Sequence, residues 1–200
     1  MNQFAMPVLA FGIMAAGLPA AGADTSCTGS LTGAISGNVV VPDGASCQLD
    51  NASVTGNVLV RTGASLAMGV IGSVTISGDL QADHCASVGV ISFTTSLLSI
   101  GGNVAIRSCT EMSGYDVSIG SSGSVTIGGN FLCQANSAPC FAQRGSIGGN
   151  AIVSDNSGGT SIVAGNEIDG NLLCLHNTAV IDASAPNTVF GKKLGQCAGL

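Results

Sequence analysis

Apolar and polar positions alternate along most of this chain, in short stretches rich in Val and Ile. The stretches recur about every 22 residues, each marked by a glycine that is usually followed by Asn. Alternation with period two in β-branched segments predicts short strands. A repeat of this length that tolerates insertions predicts a solenoid, in which each coil stacks on the previous one. The marker glycines are Gly37, Gly56, Gly78, Gly102, Gly129, Gly149, Gly170 and Gly191.

Three positions of the repeat are apolar in nearly every copy. They lie two residues before the marker glycine, two after it and four after it, as in Ile76, Leu80 and Ala82 around Gly78. Stacked coils would place like residues above one another, about 4.8 Å apart, and bury them in one aliphatic core. We therefore predict an all-β fold, a single-stranded parallel β-helix (β-solenoid) of about eight coils. Right-handed coiling is expected, because parallel crossovers are usually right-handed.

The Gly-Asn pair is predicted to form a corner between sheets, where both residue types tolerate positive φ. A stacked Asn column can also donate hydrogen bonds from coil to coil. Asp79 takes the Asn place in one repeat. We therefore expect it to be a corner residue.

The amino-terminal segment is typical of a secretory signal peptide. An apolar run from Val8 to Leu18 precedes the small residues Ala21-Gly22-Ala23, which match the A-x-A pattern of a cleavage site. We predict a signal peptide over 1–23 and a single β-helix domain over 24–200, secreted to the cell surface, the medium or the periplasm. The apolar run is too short for a membrane span, and the sequence has no longer one.

The eight cysteines all follow the predicted cleavage site, and their even number suits disulfides in an oxidising compartment. Cys85 and Cys109 both lie seven residues after a marker glycine, so they should meet in adjacent coils. The same spacing argument pairs cysteines one coil apart at each end of the chain and leaves two for a local loop. The predicted bridges are Cys27–Cys47, Cys85–Cys109, Cys133–Cys140 and Cys174–Cys197.

Two columns of outward side chains are predicted on the coils. Three residues after each glycine stand mostly apolar residues that alternation turns away from the core. If no loop covers them and no bulge turns them inward, they form a possible partner or self-association surface. These residues are Val40, Leu59, Ala105, Leu132, Ile152 and Leu173, with Gln81 interrupting them. The second column is hydroxyl-rich: Ser53, Thr75, Ser99, Thr126, Ser146 and Thr188, with Glu167 interrupting it.

Enzymatic chemistry finds little support in the sequence. Asp79 and Asp83 are four residues apart and Arg107 follows about one coil on, so these three could act together on a glycan. The chain has no Trp and one Tyr for sugar stacking. His84 is expected to be an exposed corner residue, and His176 has no evident partner. We assign no catalytic, cofactor-binding or metal-binding residues and expect no cofactor. A net charge of −6 argues against nucleic acid as a partner.

The run CTGSLTGAISGNVVVPDGASCQLDNASVTGNVLVRTGASL, residues 27–66, and the closing GNLLCLHNT and NTVFGKKLGQC carry a resemblance. They are similar to small secreted bacterial parallel β-helix repeat proteins of uncharacterised function, with G-N-V and G-A-S-L coils. The coils also loosely resemble those of bactofilins, which are polymer-forming β-helix proteins. The resemblance implies a β-helix fold and strengthens the expectation of self-assembly. It supplies no catalytic residues.

These observations favour a non-enzymatic, secreted or cell-surface structural or binding scaffold that is self-assembling or adhesin-like. Its partner, a second copy or a glycan at the cell surface, is not specified by the sequence. A polysaccharide lyase or glycoside hydrolase on a β-helix is the alternative. Ice binding comes third, because a flat hydroxyl array can order water. Ice-binding solenoids tend to carry two Thr columns, whereas the column beside this one is mixed.

Overall fold

The computed structural model describes residues 22–69, 72–90, 97–110, 117–119, 124–182 and 185–200. It is an all-β solenoid of about seven turns, and all pairing between its strands is parallel. The predicted β-solenoid is therefore confirmed, with about one turn fewer than the eight predicted. Strand β1 (Thr25–Ser26) has two residues, and β23 (Lys193–Gly195) is the last strand of the chain.

Sheet A has nine strands stacked in chain order. Between β1 and β23 it contains β3 (Val39–Val41), β5 (Val58–Val60), β8 (Leu80–Asp83), β11 (Val104–Arg107), β14 (Phe131–Gln134), β17 (Ala151–Ser154) and β20 (Leu172–Leu175).

Sheet B has ten strands and branches at its longest one, β4 (Ser46–Val54). The first half of β4 pairs with β6 (Ser65–Met68), and its second half pairs with β7 (Val74–Ile76). The others are β2 (Ser30–Ile35), β9 (Ser87–Val90), β10 (Leu97–Ile100), β13 (Ser124–Ile127), β16 (Gly145–Ile147), β19 (Glu167–Ile168) and β22 (Thr188–Val189). Sheet C contains β12 (Val117–Ile119), β15 (Cys140–Gln143), β18 (Thr160–Ala164) and β21 (Ala179–Ile181).

The core is built from the predicted apolar columns. Ile76, Ile100 and Ile127 are direct neighbours on adjacent strands of sheet B, and each is at most 1 % exposed. In sheet A, the residues two and four after each marker glycine from Gly37 to Gly170 point inward, as Val58 and Val60 do. Since the repeat holds its register from coil to coil, like side chains pack on like side chains along the interior.

All four predicted disulfides are present: Cys27–Cys47, Cys85–Cys109, Cys133–Cys140 and Cys174–Cys197. Three of them join adjacent coils, and Cys133–Cys140 closes a local loop of seven residues' separation. One bridge lies near each end of the solenoid. The terminal coils have a neighbour on one side only, so covalent links there act against fraying.

The corner glycines are required because the neighbouring coil approaches their Cα atoms closely, and not because they adopt positive φ. This corrects the prediction that positive φ explains the glycines at the corner. Among the marker glycines, only Gly37 has positive φ, at 86°. A Cβ on Gly149 would lie 2.6 Å from Oδ1 of Asn130, in the coil beneath. In five coils, a residue that is not glycine adopts positive φ six positions after the marker glycine. These residues are His84, Ser108, Ala135, Asp155 and His176.

The predicted Asn column is confirmed as a hydrogen-bonded ladder along this corner. The backbone N–H of Asn57 donates to Asn38 Oδ1 at 2.8 Å, and the same bond recurs in each following coil up to Lys192. Asp79 occupies the Asn position of the ladder in its coil, and its carboxylate accepts a hydrogen bond from the backbone N–H of Asn103 at 2.7 Å. The ladder thus links every coil through one exposed edge.

A second Asn ladder is buried and was not predicted. Asn136, Asn156 and Asn177 follow their marker glycines by seven residues, the same offset as Cys85 and Cys109. Asn156 is fully buried; its Oδ1 accepts from the side-chain amide of Asn136 at 2.8 Å, and its Nδ2 donates to Asn177 Oδ1 at 2.9 Å. Asn166 and Asn187 form a shorter buried ladder beside sheet C. These side chains bond backbone groups that the corners would otherwise bury unpaired.

Candidate functional site: the outer face of sheet A

The outer face of sheet A presents the predicted apolar residues as one straight column. Strand register aligns them one above another, and the column continues to Leu194, which the sequence analysis missed. We call this the outer column: Val40, Leu59, Gln81, Ala105, Leu132, Ile152, Leu173 and Leu194. The six predicted residues are half-buried, whereas the inward residues that flank them on each strand are buried.

Further large apolar side chains are exposed around the carboxyl-terminal coil. Phe190 is 68 % exposed, Ile181 43 %, Leu194 41 % and Leu175 37 %. They come from three sides of the same end of the solenoid. Sequence reasoning missed Phe190, Ile181 and Leu175 because they occupy different offsets in the repeat, so no column pattern marks them. Leu175 and Leu194 lie on strands of sheet A and extend its apolar surface toward that end, whereas Ile181 belongs to sheet C and Phe190 follows a strand of sheet B.

A groove interrupts the outer column near its middle. It has a volume of about 250 Å³ and is lined by Leu59, Gln81, Ala105, Arg61, Asp83, His84 and Arg107, among others. Ala105 leaves room where Leu132, one coil on, carries a longer side chain. Strand register places Arg107 directly beside Asp83, as the sequence spacing predicted. Arg61 follows β5 on the other side of Asp83.

The charges in this groove are only partly paired. Asp83 Oδ1 lies 3.1 Å from Nδ1 of the adjacent His84, and both side chains are about two-thirds exposed. Within the described part of the chain, no hydrogen bond or ion pair engages the guanidinium group of Arg61 or Arg107. Asp79 lies at the opposite end of β8, where Asn103 and Gln81 bond its carboxylate. The candidate glycan-acting group is therefore split: Asp83 and Arg107 are neighbours on adjacent strands, and Asp79 belongs to the corner ladder.

His84 is an exposed corner residue, as predicted, with φ of 52°. His176 does have a partner, contrary to expectation: its Nδ1 lies 3.2 Å from Asp155 Oδ1 in the adjacent coil. A hydrogen bond from Gln134 at 3.4 Å, another from Ser154 and the nearby His176 hold the pKa of Asp155 below its usual range. This exposed group joins three coils at the corner after sheet A.

The hydroxyl column is confirmed as a column on sheet B, where Thr75, Ser99 and Thr126 are neighbours. The adjacent corner column cannot become a second hydroxyl column, because Gly101 occupies it with no room for a side chain. A Cβ there would lie 2.6 Å from the backbone oxygen of Ser77. The neighbouring column carries Ser36, Thr55 and Ser77 in the first coils, and from Gly101 onward the array is a single line of hydroxyls, interrupted by Glu167.

Among the residues that the structure describes, no three His, Cys, Asp or Glu side chains are grouped to hold a metal ion. In the same part of the chain, no helix is long and apolar enough to cross a membrane.

The fold and the bridges define the class: a disulfide-linked parallel β-solenoid. No known family model matches the chain, and no curated protein or solved structure matches it either.

Proposed function

We propose that this protein is a non-enzymatic structural scaffold, secreted or held at the cell surface, that associates with further copies of itself through the outer face of sheet A. The observation that carries the proposal is the outer column. It places an apolar side chain in nearly every coil of one sheet face, in register and in contact with solvent. The four bridges support an oxidising compartment.

A second copy is the partner that fits this face best. Parallel strands about 4.8 Å apart give a regular spacing, so the column of one molecule matches that of another facing it. A self-complementary patch of this kind forms closed symmetric dimers or longer assemblies. The carboxyl-terminal half of the column, from Leu132 to Leu194, is unbroken by polar residues.

Association is expected to be lost when the column is made charged. In Leu132→Lys/Ile152→Lys, two half-buried apolar side chains become cations, and burying a Leu or Ile contributes about 1.5–3 kcal/mol each. We expect the wild-type protein to show concentration-dependent association by sedimentation velocity. The double variant should weaken it by at least tenfold.

The matched control is Thr126→Lys/Ser146→Lys, which adds the same charge at exposed positions of sheet B in neighbouring coils. It should associate like the wild type. A wild-type protein that stays monomeric at high concentration, or an equal loss in both double variants, would contradict the proposal.

A glycan lyase or hydrolase is the second candidate, favoured by the adjacency of Asp83 and Arg107 in a groove. The test is to measure product release from acidic and neutral glycans. Release by the wild-type protein that is lost in Asp83→Asn and in Arg107→Gln would establish the enzyme in place of the scaffold. Ice binding has weaker support, since a single hydroxyl line stands where two are usual. Thermal hysteresis measures it directly.

A further inference from the structure

The groove on the outer face is a concentration of positive charge on an acidic protein. The chain has five Lys and Arg residues against eleven Asp and Glu. Two of those five, Arg61 and Arg107, line this one groove with His84, and the acid Asp83 lies between them on the intervening strand. Asp83 already has His84 at 3.1 Å, so its charge is partly engaged locally. The two guanidinium groups face the groove with no partner among the described residues.

We propose that this groove binds one anionic group of an acidic polysaccharide, a sugar carboxylate or sulfate. Guanidinium groups recognise planar carboxylates and oxyanions through paired N–H donors. Arg61 and Arg107 lie two coils apart, roughly 10 Å at the backbone, and their long side chains can close on one anion from both sides.

The rest of the lining suits a sugar ring. Gln81 and Thr62 supply neutral donors and acceptors for hydroxyl groups. Leu59 and Ala105, both on the outer face of the sheet, give an apolar floor for the carbon face of the ring. The volume, about 250 Å³, is below the roughly 300–1,000 Å³ of pockets for drug-sized ligands. One sugar unit therefore occupies the groove, and the chain of the polymer continues over the open face.

Nucleic acid fits less well. Phosphate-backbone binding needs clustered cations along a track, and the net charge of −6 repels a polyanion away from the groove. A glycan whose charged units are spaced apart can place one anion between the arginines. Its neutral units then lie along the rest of the acidic surface without repulsion.

This inference rests on the proposed extracellular role, because such polymers lie outside the cell. Its test is calorimetric titration of the purified, oxidised protein with a partly methyl-esterified galacturonate oligomer, whose free carboxylates are separated by neutral units, at low ionic strength. We expect saturable binding that weakens with added salt. Arg61→Gln/Arg107→Gln should raise the dissociation constant at least tenfold. The matched control, Arg144→Gln/Lys192→Gln, removes the same charge elsewhere and should leave the constant within twofold.

Further arms identify the ligand. A neutral galactan oligomer should not bind, and a sulfated one should compete with the galacturonate. Inorganic sulfate that competes as strongly as the oligomer would overturn the glycan in favour of a free oxyanion. Equal loss in both double variants, or tighter binding of a single-stranded DNA oligonucleotide, would overturn the site as stated. Sedimentation of the same variants separates the proposals, because Arg61→Gln/Arg107→Gln leaves the apolar residues of the outer column intact.

Discussion

Asn156→Ala is expected to destabilise the protein by about 3–5 kcal/mol. The side chain of Asn156 is fully buried and makes four hydrogen bonds. Its Oδ1 accepts from both the backbone N–H and the side-chain amide of Asn136, and its Nδ2 donates to the Cys133 carbonyl and to Asn177. Removing it leaves the Asn136 N–H without its acceptor in a place that water does not reach. An unpaired buried donor of this kind costs about 1–3 kcal/mol by itself.

Asn150→Ala provides the matched control in the same coil. Asn150 takes part in the corner ladder with the same pattern: its Oδ1 accepts from the backbone N–H of Asn171 at 2.9 Å. That ladder is open to solvent, so water replaces the lost bonds, and the expected cost is about 1 kcal/mol. Denaturant unfolding of the oxidised proteins measures both values. Equal losses would show that the interior ladder is hydrated, and the argument from burial would then fail.

The periodic part of the fold was predictable from the sequence because a solenoid repeats one environment at one offset. Ile76, Ile100 and Ile127 share a position in the repeat and a place in the core. Counting from the marker glycine likewise paired Cys85 with Cys109, and the structure contains that bridge.

The buried Asn ladder escaped prediction although it obeys the same count. Asn136 and Asn156 share the offset of Cys85 and Cys109. A polar residue near a corner suggests a solvated turn, and single-sequence reasoning does not show that the backbone there turns its side chains inward. The left-handed residue just before each Asn, such as Asp155 with φ of 58°, causes this turn.

The groove could be anticipated only in part. Coil spacing predicted that Asp83 and Arg107 would be neighbours, and they are. The depression itself depends on side-chain volumes in three consecutive coils, with Ala105 between longer residues, and on Arg61, which no repeat position distinguishes. The groove forms where side chains differ from those at the same position in other coils, so the periodic pattern does not reveal it.

Removing the central bridge with Cys85→Ala/Cys109→Ala is expected to cost about 3–4 kcal/mol. The bridge joins residues 24 apart in sequence, with their Cα atoms 4.5 Å apart. In the chain-entropy account, releasing a loop of that length gives the unfolded chain about 3.5 kcal/mol of additional conformational freedom. Replacing both cysteines leaves no free thiol to form a wrong pair. Denaturant unfolding of the oxidised variant measures the loss.

The control is Cys174→Ala/Cys197→Ala, whose sequence separation of 23 gives nearly the same loop entropy. The two bridges differ in position. Cys197 lies in the last coil, which has a neighbour on one side only, so the variant can fray there while the inner coils stay folded. We expect a smaller loss of global stability, with hydrogen exchange accelerated at Lys193–Gly195 and unchanged in the central coils. If the two bridges cost the same and exchange stays uniform, the solenoid unfolds as one cooperative unit. Coil-by-coil stacking would then not limit its stability.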